Sequence, residues 1–120
     1  MSGQSVYGVL NLWEHWDWKL HVGVPSEAEI EGYVQGRYTR VECEAGFTIL
    51  VNRLGPWAFR GQGPSGTLTR MKDGVAHGMI CGPVVAVRYA DDDIIVSLTT
   101  EDIAELHNIV DRGYAYLMRG

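Results

Sequence analysis

The sequence predicts an α+β domain: a curved antiparallel sheet or half-open barrel of about seven short strands, one short early helix, and a long C-terminal helix packed on the sheet. Short stretches rich in β-branched and aromatic residues recur between turn residues, which is typical of antiparallel strands. The 15 glycines in 120 residues favour many turns. An apolar stripe with helical spacing runs through the last twenty residues. A chain of this length forms one core, so residues 1–120 are expected to be a single domain.

The first third of the chain predicts a hairpin followed by a short helix. Ser5–Leu12 is apolar on both faces, whereas apolar and polar residues alternate strictly in Trp16–Val24. Ser26 and Glu29 have the spacing of a capping box, which predicts a helix over Glu27–Gln35. Alternating apolar residues in the same stretch leave a strand as the alternative. The predicted inward face of the second strand consists of Trp16, Trp18, Leu20, Val22 and Val24.

Three further hairpins are predicted between this helix and the C-terminal one. Each joins two β-prone stretches across a short turn that contains glycine or acidic residues. A loop of prolines and glycines, Leu54–Gly66, separates the first of them from the second. The predicted strand pairs are Tyr38–Glu44 with Phe47–Arg53, Thr67–Met71 with Val75–Cys81, and Val84–Tyr89 with Ile94–Leu98.

The C-terminal helix is predicted over Thr99–Arg119. Thr99 is a suitable N-cap, and Asp102 follows at the capping-box position. Apolar residues then recur at the three- and four-residue intervals that place them on one face of a helix. That face consists of Ile103, Leu106, His107, Val110, Tyr114 and Leu117.

Charge and hydropathy limit the partners that can be expected. The net charge of −5 argues against bulk binding to nucleic acid or to an anionic membrane. The N-terminal residues have no charged and apolar pattern of a signal peptide, and the longest apolar run, Gly78–Val87, is about half of what a membrane span needs. We therefore expect a cytoplasmic protein without a cofactor, and its sheet edges make a homo-oligomer plausible.

The most unusual segment is Ala45–Lys72, which contains basic residues but no acidic one. Arginine offers a planar set of donors to anions, aromatic rings stack on planar ligands, and glycine lets backbone N–H groups approach closely. The predicted ligand-binding residues are Arg53, Trp57, Arg60, Arg70 and Lys72. They favour a non-enzymatic protein that holds an anionic or nucleotide-like ligand, with a solvated loop as the alternative. Gly61–Gly66 matches a dinucleotide fingerprint by letters only, because Pro64 interrupts it and a β-prone stretch follows.

Two other functions remain open at this point. One is a protein–protein interaction or inhibitor module, such as a phage or mobile-element accessory protein that antagonises a host factor. The other is a small enzyme in which His77 or His21 acts with a cysteine or an acid. No catalytic or metal-ligating residue is assigned, because His15 and His21 lie too far apart along one strand to share a metal ion. Cys43 and Cys81 are expected to be buried thiols.

Overall fold

The computed structural model of the chain describes residues 4–11, 17–54, 65–72, 77–91 and 93–111. Within these ranges the chain has an α+β fold, with an antiparallel open sheet of six strands, a separate three-stranded sheet and two helices. The elements in chain order are β1 (Val6–Leu10), β2 (Lys19–Val22), α1 (Glu27–Val34), β3 (Tyr38–Glu42), β4 (Thr48–Asn52), β5 (Ser65–Leu68), β6 (His77–Cys81), β7 (Val84–Tyr89), β8 (Ile95–Val96), α2 (Thr100–Leu106) and β9 (Val110–Asp111).

Strand β7 is the centre of the larger sheet, whose order is β2-β1-β7-β4-β3, and β8 also pairs with β7. Every pairing in it is antiparallel. The first four residues of β7 are buried, and they alternate between two hydrophobic clusters on opposite faces of the sheet. A continuous apolar run is what a strand covered on both faces requires, and this explains the sequence VVAV.

Each face of the larger sheet is covered by a different layer. On one face, Ile30 and Val34 of α1 pack in a cluster with Leu50 and Val85. On the other face, the cluster combines sheet residues with side chains from α2, from the segment after it and from the smaller sheet. The second cluster comprises Leu10, Cys43, Phe47, Ile49, Leu68, Met71, Val84, Ala86, Leu98, Leu106 and Ile109.

Helix α1 begins and ends with specific hydrogen bonds. The Ser26 hydroxyl accepts from the Glu29 N–H at 3.1 Å, and the Glu29 carboxylate accepts from the Ser26 N–H at 2.8 Å. The helix ends at Gln35, whose φ of 64° is left-handed. The Asn52 amide donates to the carbonyl oxygens of Val34 and Gln35, so β4 satisfies acceptors at the helix end. The predicted helix is confirmed and the strand alternative is wrong.

Helix α2 is anchored at both ends to the larger sheet. Thr99 and Asp102 form its capping box, and the Asp102 carboxylate also accepts two hydrogen bonds from Arg88 of β7, at 2.8 and 2.9 Å. At the other end, the Trp18 indole N–H donates to the Leu106 carbonyl at 3.0 Å. These contacts fix the helix against the sheet face that carries Gly8, where a Cβ would come within 3.2 Å of Trp18 and 3.3 Å of Leu106.

The long helix predicted over Thr99–Arg119 is not confirmed. The described helix ends at Leu106, and a turn in which Asn108 donates to the Glu105 carbonyl reverses the chain. Val110–Asp111 then pair with β5 as a strand. Two residues of the predicted stripe, Leu106 and Val110, pack in or against the core along this path as well, and the β-branched Val110 favours extended backbone. Residues 112–119 lie outside the described part of the chain.

The four predicted strand pairs are found as β1–β2, β3–β4, β5–β6 and β7–β8. The predicted bounds are wrong for the third pair, because β5 ends at Leu68 and Met71 forms a bridge with Cys43 instead. The turns predicted within the first and third pairs lie wholly or partly outside the described residues. The strand count differs, because the described residues form nine strands in two sheets. The predicted burial of β2 is wrong for Leu20, Val22 and Val24, which are 49%, 64% and 50% exposed. Strand β2 lies at the sheet edge, and among the described residues of the predicted inward face only Trp18, just before β2, packs against the cluster beneath. Trp16 lies outside the described residues. None of the helices in the described ranges is long and apolar enough to cross a membrane.

Candidate functional site

The predicted ligand residues fall at two separate places. Arg53 follows directly after β4. Its backbone N–H donates to the carbonyl of Arg37, the residue just before β3, at 2.7 Å. Lys72 donates from its N–H to the carbonyl of Glu42, the last residue of β3. Arg37 and Glu42 are five residue steps apart, and five steps along a strand span about 17 Å. The structure therefore does not bring Arg53 together with Lys72, or with Arg70 beside it.

Arg70 and Lys72 each lie near a carboxylate at the surface. The Arg70 guanidinium is 3.4 Å from the Glu105 carboxylate, and the Lys72 ammonium is 3.7 Å from that of Glu42. All four side chains are partly or largely exposed, so these pairs contribute little to stability. Two further predicted site residues, Trp57 and Arg60, lie outside the described residues.

Arg53 instead belongs to a cluster of arginines at the open end of the β3–β4 hairpin. Tyr38 and Asn52 are register partners, so the residues that flank them, Arg37 and Arg53, come side by side. Arg40 is on β3, two residues beyond Tyr38. Together with the acidic residues Glu27 and Glu31 of α1 these residues line an open cleft of about 670 Å³. The residues of this arginine cleft are Glu27, Glu31, Arg37, Tyr38, Thr39, Arg40 and Arg53.

The three guanidinium groups of the arginine cleft have different surroundings. Arg40 forms an ion pair with Asp93, and its guanidinium carbon lies 3.9 Å above the centre of the Tyr89 ring. By contrast, no carboxylate of the described residues lies within ion-pair distance of Arg37 or Arg53. Arg40 is therefore held in place by the protein, whereas no ion pair within the described residues holds Arg37 or Arg53.

The charge states in the cleft follow from burial and from neighbouring groups. Burial raises the pKa of Tyr38, and the nearby Glu27 carboxylate raises it further, so the phenol stays neutral. Burial is the largest single influence on Arg40 and lowers its pKa, but the hydrogen bond to Asp93 and the electrostatic effects of Tyr89, Asp93 and Tyr38 together outweigh burial, so the pKa of Arg40 is raised. At neutral pH the cleft combines three positive charges with two carboxylates and a phenol that can donate a hydrogen bond.

Asn52 fixes the backbone next to Arg37 and Arg53 through hydrogen bonds of its side-chain amide. Its amide nitrogen donates to the Gln35 carbonyl at 3.2 Å, and its oxygen accepts from the Leu54 N–H at 2.8 Å. Asn52 is 7% exposed, so these bonds are shielded from water. One buried amide thereby ties the chain before Arg37 to the chain after Arg53.

Sequence reasoning missed Arg37 and Arg40, although a signal for Arg37 was present. The predicted turn around Glu44–Gly46 fixes the register of the hairpin and so places the residues before Tyr38 opposite those after Asn52. Following that register outward leads from Arg53 to Arg37. For Arg40 no such signal exists, because its contacts with Tyr89 and Asp93 depend on the position of β7.

A second cleft lies on the other side of α1, beside β2. The His21 ring stacks on Tyr7, with centroids 5.3 Å apart and an interplanar angle of 17°, and lies 5.7 Å from the Tyr33 ring. The hydroxyls of Tyr7 and Tyr33 are 3.0 Å apart. Burial, followed by the contact with Tyr33, raises the pKa of Tyr7 well above its usual range. This aromatic cleft has a volume of about 320 Å³ and is lined in addition by charged and amide side chains.

The residues considered for enzyme chemistry do not form a pair where the structure describes them. Cys43 is buried among the residues beneath α2, whereas His21 faces the α1 side of the sheet. Burial is the main reason that the pKa of Cys43 is raised to about 12, so its thiol is protonated at neutral pH. The His77 side chain lies outside what is described. Among the described residues, no three histidine, cysteine or acidic side chains come together as a metal site.

Comparison with known proteins adds no function to this geometry. The chain matches no protein-family model, no curated protein and no solved structure. The arginine cleft and the aromatic cleft are therefore the basis for inferring what the protein does.

Proposed function

We propose that the protein is a non-enzymatic, cytoplasmic binding protein that holds a small anionic ligand of the nucleotide type in the arginine cleft. The observation that carries this proposal is the position of Arg37 and Arg53. Both line one cleft, and neither has a carboxylate partner among the described residues. Guanidinium groups that are not engaged by a carboxylate of the protein are suited to a bidentate contact with a phosphate or carboxylate of a ligand.

The two glutamates of the cleft narrow the class of ligand. A bare phosphate would be attracted by the arginines but repelled by Glu27 and Glu31, which line the same cleft. A ligand that carries phosphate at one end and hydroxyl or amino donors at the other satisfies both kinds of group. A nucleoside monophosphate has this distribution, and the cleft volume of about 670 Å³ is within the range of small-molecule sites.

The segment after Arg53 contributes the remaining predicted ligand residues. Trp57 is four residues beyond Arg53 in the sequence, and four residues of extended chain span at most about 14 Å. Stacking of Trp57 on the base and a contact from Arg60 to the phosphate complete the proposal for this side. Arg70 and Lys72 are not part of the proposed site, because they lie at the other end of β3.

Isothermal titration calorimetry with nucleoside monophosphates tests the proposed function. We expect Arg37→Gln and Arg53→Gln each to weaken binding by about tenfold or more, because each removes a charge-assisted contact. Arg70→Gln is the matched control, since it removes the same charge at the far end of β3 and leaves the cleft intact. Inorganic phosphate is expected to bind more weakly than the nucleotides.

Two results would contradict the proposal. One is that no nucleotide binds to the unaltered protein at millimolar concentration. The other is that Arg70→Gln weakens binding as much as Arg53→Gln does, because the effect would then report overall charge. The variant Trp57→Ala tests the contribution of Trp57 separately from that of the arginines. If it weakens the binding of nucleotides but not of inorganic phosphate, the Trp57 ring contacts the base.

A second candidate function is the protein–protein interaction or inhibitor module, and the edge strand β2 favours it. The Gly23 N–H donates to the Ser5 carbonyl, so Ser5 and Gly23 face each other as a hydrogen-bonded pair. Hydrogen-bonded and non-hydrogen-bonded pairs alternate along an antiparallel ladder. Leu20 and Val22 fall in the non-hydrogen-bonded pairs, so their N–H and C=O groups point away from β1. Their side chains are 49% and 64% exposed. Such an edge suits a partner that adds one strand to the sheet. A host factor antagonised by a phage or mobile-element accessory protein would be a partner of this kind.

The edge-strand function has its own test. We expect Leu20→Lys to abolish the complex with any partner that binds through β2, because it places a charge in the shared apolar face. Thr39→Lys on the opposite edge strand is the control. A complex that survives Leu20→Lys would exclude strand addition at β2.

A further inference from the structure

We propose that the aromatic cleft between α1 and β2 is a second ligand site, which takes a small zwitterion of the amino-acid type with an aromatic side chain. The site is independent of the arginine cleft, because the two lie on opposite sides of α1 and share no lining residue. Its volume of about 320 Å³ is at the lower end of small-molecule sites and suits a ligand of this size.

The cleft is kept open by a glycine. Gly32 lies inside α1, where glycine costs about 1 kcal/mol relative to alanine. No packing requires it, because a Cβ at Gly32 would have no atom within 4 Å. A larger side chain at this position would instead project into the cleft, which Gly32 lines. Glycine at position 32 therefore lowers the stability of α1, and no packing contact requires a glycine there.

A second locally unfavourable residue borders the same cleft. Gln35 has a φ of 64°, a left-handed conformation that a non-glycine residue adopts at an energetic cost. It also lines the aromatic cleft. Residues that oppose local stability concentrate at functional sites, and here two of them meet at one cavity.

Aromatic rings give the cleft a wall of fixed position. His21 and Tyr33 line it, and Tyr7 lies behind His21 in a stacked arrangement. The contact between the Tyr7 and Tyr33 hydroxyls links β1 to α1, so the rings are held before a ligand arrives. Buried Val9 and Pro83 add apolar surface to the lining. A flat apolar side chain fits such a wall through stacking.

Charged side chains of both signs complete the lining. Asp17, Lys19 and His21 all line the cleft, and Lys19 and His21, two residues apart on β2, lie about 7 Å from each other. One carboxylate and one ammonium disfavour a ligand with net charge of either sign. They suit a ligand whose own carboxylate contacts Lys19 and whose ammonium contacts Asp17. This pattern differs from that of the arginine cleft, in which basic side chains outnumber acidic ones.

Calorimetric titration of the whole protein with phenylalanine, tyrosine and tryptophan tests the second site. We expect at least one of them to bind, and its N-acetyl and carboxamide derivatives to bind about tenfold more weakly, because each lacks one charge. Lys19→Gln should give the same loss for the free amino acid and no further loss for the carboxamide. Gly32→Leu should abolish binding by filling the cleft. Lys72→Gln removes the same charge elsewhere and should have no effect.

The outcomes that overturn this inference are specific. They are the absence of binding by all three amino acids at millimolar concentration, equal affinity of the derivatives, and unchanged affinity in Gly32→Leu. Uncharged nucleosides or sugars binding in place of the zwitterions would overturn the ligand class. If Gly32→Leu does not fold, Lys19→Gln decides the question. Arg53→Gln should leave amino-acid binding intact, so failure of the arginine cleft and failure of this site are separable.

Discussion

The ion pair between Arg88 and Asp102 provides the sharpest test of how α2 is held. Asp102 is 1% exposed and accepts two hydrogen bonds from Arg88, at 2.8 and 2.9 Å, and one from the Thr99 N–H at 2.9 Å. The substitution Asp102→Asn keeps the shape of the side chain and removes its charge. It also turns an amide N–H₂ group toward one of the donors that the carboxylate had satisfied.

The expected cost of Asp102→Asn is about 3 kcal/mol. Breaking a buried pair by removing one partner costs about 3 to 5 kcal/mol, because it leaves the other charge buried without compensation. The Arg88 side chain is 30% exposed, so water can reach part of the freed guanidinium and the lower end of that range applies. For a chain of this size, a loss of about 3 kcal/mol lowers Tm by about 10 °C.

The dependence on pH identifies the charge as the cause. Burial of Asp102 raises the pKa of the carboxyl, but the hydrogen bonds from Arg88 and Thr99 outweigh burial, so its pKa in the folded protein is lowered. A lowered pKa contributes stability above the unfolded value of about 4, and this contribution is lost as pH falls through the folded value. The difference between the parent and Asp102→Asn should therefore shrink as pH is reduced from about 7 toward 2.

Urea unfolding, followed by circular dichroism over this pH range, measures both effects. Glu105→Gln is the matched control on the same helix, because its partner Arg70 is largely exposed, and it should change the free energy of unfolding by less than about 0.5 kcal/mol. In a double-mutant cycle, Arg88→Met combined with Asp102→Asn should cost less than the sum of the two single changes. A cost equal to that of the control, or a cost independent of pH, would refute the assigned role of the pair.

Three further outcomes are expected from single features of the fold. Asn52→Ala should lower the free energy of unfolding by about 1 to 3 kcal/mol in urea titrations, because it removes a buried amide that bonds Val34, Gln35 and Leu54; an unchanged midpoint would contradict that role. Gly8→Ala and Gly32→Ala should act in opposite directions in thermal unfolding: the former destabilises by about 1 to 3 kcal/mol through contact with Trp18 and Leu106, and the latter stabilises by about 0.5 to 1 kcal/mol. The Cys43 thiol should be alkylated only after unfolding, as measured by peptide mass mapping, because it is buried in the folded protein. Burial is the main reason that the pKa of Cys43 is raised to about 12. The contribution of the neutral thiol to stability is therefore present below the unfolded pKa of about 8.5 and is lost as the pH rises from there toward the folded pKa.

Local chemistry explains which parts of the fold were predictable. Ser26 with Glu29 and Thr99 with Asp102 are interactions between neighbours in the chain, and both capping boxes were found from spacing alone. The β3–β4 and β7–β8 hairpins likewise depend on short connections, of five residues each. The end of α2 was not predictable, because the path after Leu106 is decided by pairing between β9 and β5, which are about forty residues apart.

The candidate site was predictable only in part, for the same reason. Arg53 was found from the acid-free composition around it, but composition does not show which residues meet in space. Arg37 reaches Arg53 through the hairpin register, and Arg40 is held by Tyr89 and Asp93, which follow much later in the chain. The exposure of Leu20 and Val22 was missed because alternation indicates a two-faced strand, and only the sheet order shows that β2 is at an edge.

The place of β7 between β1 and β4 has a consequence for biosynthesis. The ribosome delivers the β1–β2 and β3–β4 hairpins first, but both must wait for Val84–Tyr89 before they can join. Until then, the edges of β1 and β4 that will pair with β7 have no neighbouring strand, and the side chains that form both hydrophobic clusters are exposed to solvent. A nascent chain that stalls before Val84 would therefore hold two unconnected hairpins, and we expect it to depend on chaperones where the completed chain does not.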